Sequence, residues 1–119
     1  MDLRYSDEDG FLWILGRSDQ AIIRGGFKVI PDTVRSALER HPEVRGAAVV
    51  GRDDRRLGAV PVAAVELRSD AVGPDELAAF AGESLARYEV PVEIRIVDSL
   101  PRTASGKVDL AAVAELLGA

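Results

Sequence analysis

Between residues 92 and 96 apolar and charged side chains alternate, with Glu93 and Arg95 separating Val92, Ile94 and Ile96. A period of two puts the apolar set on one face of an extended chain, so this stretch predicts a half-buried strand. Two longer apolar runs, residues 44–50 and 60–67, predict further strands, with the charged residues 51–58 as the loop between them. Shorter extended stretches occupy residues 11–15, 21–24 and 27–30, separated by Gly16-Arg17-Ser18-Asp19-Gln20 and by Gly25-Gly26. Elsewhere the spacing becomes helical. Pro31 and Asp32 open a helix carrying Val34, Ala37 and Leu38 through Arg40, and His41-Pro42 stops it. Pro74-Asp75-Glu76 opens a second, with Leu77, Phe80, Ala81 and Leu85 as its stripe. After the turn-rich residues 98–106 a third helix aligns Leu110, Val113, Ala114 and Leu117. The order is a β-hairpin, then β-α-β-β-α-β, then a C-terminal helix. That order predicts an α+β fold, a small two-layer sandwich of an antiparallel or mixed sheet with helices on one face.

Composition narrows the chemistry. A chain of 119 residues is one domain, or one domain with a piece of another, and its 47% apolar content suffices for a core. The absence of cysteine removes disulfides, thiolate metal sites and cysteine nucleophiles together, and the lone His41 cannot build a histidine metal site. A net charge of −5 argues against a nucleic-acid partner. No apolar run approaches the ~20 residues of a membrane span, and no basic-then-apolar leader opens the chain. The expected location is the cytoplasm. Of the fifteen basic residues only Lys28 and Lys107 are lysine. A compact ammonium and a planar guanidinium fork are not interchangeable, so both positions draw attention.

Lys107 ends the segment Leu100-Pro101-Arg102-Thr103-Ala104-Ser105-Gly106-Lys107. Proline fixes φ and glycine permits a sharp reversal, so the ammonium is held out on a constrained loop. Such a cation suits phosphoryl or carboxylate charge; a solvated surface lysine is the plain alternative. Gly25-Gly26 reads equally as a tight turn or as a close backbone approach, and Arg17 with Asp19 as a surface ion pair. His41 reads as a helix-end residue, Trp13 as a packing aromatic, and the 52–56 charge run as a solvated loop.

Taken together, Gly16-Arg17-x-Asp19 with Ile23-Arg24-Gly25-Gly26, Tyr88-x-Val90-Pro91, and Pro101-Arg102-Thr103-x-Ser105-Gly106-Lys107 resemble the C-terminal domain of the adenylate-forming (AMP-binding) superfamily. The resemblance runs from Asp2-Leu3 through Lys107. It implies a mobile lid on a large N-terminal domain, in an enzyme that uses ATP with Mg2+ to turn a carboxylate into an acyl-adenylate and then passes it to a thiol. By resemblance, Lys107 is the catalytic lysine of adenylation and Asp19 the hinge. Arg17 and Asp2 contact the nucleotide, although Met1 stands where that family has glycine, so the chain is expected to open inside a motif. Gly25, Gly26 and Lys28 form the loop facing the CoA thiol, with arginine frequent in that family at position 28. Residues 1–18 are then the tail of the large domain and residues 19–119 the lid; without the large domain Phe11, Trp13 and Leu15 are expected to be mobile or buried against a second copy.

The expected partners are the large adenylating domain and CoA or a carrier-protein thiol, with neither nucleic acid nor a membrane span. ATP and CoA are substrates of the whole enzyme, and the isolated chain is expected to be inert and to bind neither tightly. The paired glycines before Phe27, and a chain reaching only a dozen residues past Lys107, favour an acyl-CoA synthetase. A peptide-synthetase-type adenylation domain loading a carrier protein is the second reading, and a stand-alone ferredoxin-like ligand-binding module the third.

Overall fold

The computed structural model describes residues 21–119. Asp2, Arg17, Asp19 and the strand expected at residues 11–15 lie outside the described residues. The chain runs β1 (Ile22–Arg24), β2 (Phe27–Val29), α1 (Pro31–Glu39), β3 (Val44–Asp54), β4 (Gly58–Leu67), α2 (Pro74–Gly82), a 3₁₀ turn (Arg87–Glu89), β5 (Glu93–Val97) and α3 (Leu110–Leu116).

β4 organises the sheet. One edge pairs antiparallel with β3 from Val44↔Leu67 to Asp54↔Gly58. Its other edge takes β1 at Gly58 and then β5, in parallel, from Val62 to Glu66. β2 lies outside β1. Because β5 pairs directly with β4, and not with the first strand of the β-α-β-β-α-β run, the sheet lacks the interleaved strand order of a ferredoxin-like module.

Apolar residues fill both faces of β4. Ala63 and Val65 join Val34, Ala37 and Leu38 of α1 and Leu77 and Ala81 of α2. Val62 and Ala64 face the other way, onto Leu100, Val113 of α3 and Leu117 just after it. The α+β class is as expected, but the helices do not share one face: α3 forms a partial third layer. A strand apolar at successive positions must be covered twice. Asp109 caps α3, its carboxylate accepting from the Ala112 amide at 3.1 Å.

Residues 51–54 continue β3 and do not form a loop, because the backbone ladder persists through Asp53↔Ala59 whatever the side chains' charge. The reversal is confined to Arg55, Arg56 and Leu57, where the Asp54 carboxylate accepts the Arg56 and Leu57 amides at 2.9 Å each. At the end of α1, Glu39 accepts the Ala47 amide of β3 at 3.2 Å and pairs with Arg35 one turn earlier at 2.8 Å. His41 closes α1 as expected: its Nδ1 accepts the Glu43 amide, and its ring meets Phe80 edge-on at 4.7 Å. Among the described residues no helix is long and apolar enough to cross a membrane.

Candidate functional site

Lys107 stands on a small hairpin. The Thr103 amide donates to the Lys107 carbonyl at 2.8 Å, the Asp109 amide to Pro101 at 2.9 Å, and Arg102 bridges to Val108. The reversal closes with the Gly106 amide on the Thr103 carbonyl, and Gly106 takes a φ of +89°, a backbone conformation that suits glycine. Thr103 and Ser105 hydroxyls share a 3.0 Å hydrogen bond across the tip. Leu100, buried at the entrance, and Val108, half-buried at the exit, root the hairpin in the α3 layer. The Lys107 side chain itself is exposed.

Beneath this hairpin lies Glu66, a charged side chain only 3% exposed. It accepts the Leu100 amide, and Arg45 Nε and Arg102 Nη2 approach at 3.4 and 3.5 Å. Burial opposes its ionisation, but the Leu100 amide and the two arginines outweigh that, holding the carboxyl below the usual carboxylate range.

The glycine pair occupies the β1–β2 turn. Gly25 and Gly26 have φ of +56° and +93°, so both use backbone that side chains disfavour. The Gly25 amide donates to the Leu57 carbonyl at 2.7 Å, fixing the turn to the β3–β4 reversal. A Cβ on Gly26 would meet nothing within 4 Å, so its tip faces open space. Lys28 is exposed on β2. Beside the turn, Arg24, Phe27, Leu57, Arg87 and Tyr88 line a cleft of about 380 Å³. Phe27 and Tyr88 stack at 4.5 Å, and Arg24 Nη1 donates to the Tyr88 carbonyl at 3.0 Å. The Tyr88-x-Val90-Pro91 motif therefore meets the Gly25-Gly26 motif directly, although 64 residues separate Arg24 from Tyr88.

The structure does not bring Lys107 to the glycines. Arg24 pairs with Gly58 at one end of β4, while Glu66, under the lysine hairpin, lies near the other. Eight residues of strand, at about 3.4 Å each, separate those anchors by roughly 27 Å. Sequence reasoning missed Glu66, Arg24 and the Phe27–Tyr88 stack. The available signal for Glu66 is an acid inside an otherwise apolar run; for the stack, an aromatic within each of two motifs.

Among known proteins, the AMP-binding enzyme C-terminal domain matches residues 33–107. A 2-succinylbenzoate–CoA ligase of Geobacillus kaustophilus is 47% identical over 109 residues, 90% of this chain and 22% of that one. The solved o-succinylbenzoate CoA synthetase of Bacillus subtilis, a double mutant with a bound product analogue, superposes with a TM-score of 0.75 at 38% identity, over 92% of this chain and 22% of that one. The amide bond synthetase McbA of Marinactinospora thermotolerans does so at 0.79 and 36%, with the same coverage. The chain thus spans about a fifth of the length of these relatives. Motifs, sheet order and likeness agree, and the chain belongs to the AMP-binding enzyme C-terminal domain family.

Proposed function

We propose that residues 19–119 act as the alternating lid of an ATP-dependent acyl-CoA synthetase, with residues 1–18 belonging to the large adenylating domain and Asp19 as the pivot. The observation that carries this reading is the separation of the two hairpins along one rigid strand. A single reaction centre of ordinary size can be served by one end of β4 or the other, so two uses of the same centre require rotation.

In the first orientation Lys107 meets a carboxylate and the α-phosphate of MgATP. The carboxylate oxygen attacks phosphorus and pyrophosphate leaves; charge gathers on the phosphoryl oxygens, where a positioned ammonium stabilises it. Arg17 and Asp2 hold the nucleotide in this reading. In the second orientation the Gly25-Gly26 turn faces the adenylate. Backbone without side chains leaves passage for a pantetheine arm, whose thiol displaces AMP to give the thioester. Lys28, Arg24 and Arg87 lie near that passage and suit the phosphates of CoA. The ligases of the same family, named for 2-succinylbenzoate and CoA, support that acid and that acceptor. The likeness to an amide bond synthetase makes an amine the competing acceptor.

The test uses the full-length ligase and reads pyrophosphate exchange separately from product formation. Lys107→Ala should abolish exchange and spare thioester formation from supplied acyl-adenylate, while Gly26→Leu should do the reverse. Equal loss of both half-reactions in either variant overturns the alternating reading. Amide without thioester would reassign the acceptor. The isolated chain should be inactive until the large domain is added.

A further inference from the structure

We propose that Glu66 is a positioning residue for Lys107: its carboxylate, with two arginines, grips the 98–106 loop at three points and so sets where the ammonium stands. This rests on the reading of Lys107 as the adenylation lysine. The first point is direct, since the Leu100 amide donates to Glu66 Oε2 one residue before the hairpin begins. The second runs through Arg45, which approaches Glu66 at 3.4 Å and donates to the Asp98 carbonyl at 3.2 Å. The third runs through Arg102. One guanidinium nitrogen lies 3.5 Å from Glu66 and the other 3.5 Å from the carbonyl of Gly106, the residue before Lys107. These longer contacts act as charge attraction more than as tight hydrogen bonds.

The fold asks for an acceptor for the buried Leu100 amide here, which a neutral side chain could supply; it does not ask for a charge. Glu66 ends a run of buried residues on the central strand, where an apolar side chain would extend the core without desolvating a charge. The opposite strand makes room for it: Glu66 pairs with Gly46, and a Cβ on Gly46 would lie 3.3 Å from Glu66 Oε1. What the charge does supply is direction. The two arginines it holds each reach a backbone carbonyl of the loop that presents Lys107. Phosphoryl transfer is sensitive to placement at the ångström level, so a loosened hairpin should lower the adenylation rate without removing any group that reacts.

The experiment compares Glu66→Gln, Arg102→Met and Lys107→Ala in the full-length ligase. Glutamine keeps the shape of the buried side chain and loses the charge; Arg102 is half exposed, so its variant carries the test if Glu66→Gln fails to fold. Both should lower kcat for pyrophosphate exchange about tenfold with KM for ATP within about twofold, and leave thioester formation from supplied acyl-adenylate within about twofold. Amide hydrogen exchange gives a second readout, independent of activity: the Thr103 and Gly106 amides should lose protection in Glu66→Gln while β4 amides keep theirs. Full exchange activity in both variants, with Lys107→Ala inactive, overturns the clamp and leaves the lysine reading intact. Unchanged Thr103 and Gly106 protection overturns it on structural grounds. Equal loss of both half-reactions makes Glu66 a support of the fold only, and also overturns it. Active Lys107→Ala removes the lysine reading, and the clamp's purpose with it.

Discussion

The two hairpins at the ends of β4 use the same backbone device, and each has an apolar footing, but only the Lys107 hairpin stands over a buried charge. Gly26 and Gly106 share nearly the same φ, +93° and +89°, and neither has a neighbour within 4 Å of where a Cβ would be. Below Gly106 the anchor is electrostatic, a buried carboxylate and two guanidinium groups around Glu66. Around Gly26 it is a main-chain hydrogen bond from Gly25 to Leu57 and an apolar stack of Phe27 on Tyr88. On the proposed reading, the hairpin that delivers one charge needs that charge held in a chosen place, and the one that lets a flexible arm pass needs a bare tip and firm flanks.

The largest effect expected from breaking this comparison is at Lys107. Lys107→Ala should lower acyl-adenylate formation by about 100-fold or more, at least about 2.7 kcal/mol of transition-state stabilisation. Pyrophosphate exchange measures it directly. Next is Asp19, the pivot of the proposed lid. Asp19→Pro would fix φ and remove an amide donor there, and should reduce thioester production by about tenfold or more while exchange stays within a few-fold of normal. Loss of both half-reactions together would mean that position 19 supports the site and does not turn the lid.

A matched pair of alanines sharpens the contrast at smaller scale. Gly26→Ala and Gly106→Ala should each cost about 1–2 kcal/mol of stability, since both force a side chain into the same unfavourable backbone region and the new methyl packs against nothing. Thermal melts should shift alike. The kinetic losses should part: Gly106→Ala slows exchange, and Gly26→Ala slows thioester formation. Identical kinetic signatures would dissolve the division of labour between the two ends.

The smallest effect is the pH dependence that Glu66 gives the Lys107 end. Glu66 is held below the usual carboxylate range against its own burial, by the Leu100 amide, Arg45 and Arg102. A depressed folded-state value means its stabilisation is complete above the ordinary glutamate value of about 4.3 and fades as pH falls through the lower folded value. The Tm of Glu66→Gln should therefore lie roughly 5 °C or more below the parent from pH 7 to pH 5. That gap should narrow below about pH 4. A gap that stays constant into acid would remove the charge from the account.

What could be read from residues alone follows from which forces leave a trace in sequence. Alternation and helical spacing located α1, α2, β5 and α3, because burial on one face writes a period into the chain. The extra length of β3 left no trace, since the ladder through Asp53 and Asp54 consists of main-chain bonds indifferent to side-chain type. Nor did residues 60–65 say which helix covers which face: a strand apolar at every position looks the same from both sides. Gly25, Gly26 and Lys107 stood out through the motifs that resemble a known family; from the residues alone each kept a plain alternative. Glu66 did not stand out, because its partners stand 21, 34 and 36 residues away and one of them is a backbone amide.

The scarcity of lysine has a practical side. Lys28 and Lys107 carry the only side-chain amines of the chain, both exposed, one beside the glycine turn and the other on the hairpin above Glu66. Amine-reactive fluorophores, applied at a pH that separates the lysines from the α-amino terminus or after that terminus is blocked, would therefore mark the two ends of β4. If the lid turns as proposed, their mutual energy transfer should stay constant, while transfer from each to a dye on the large domain should change in opposite senses.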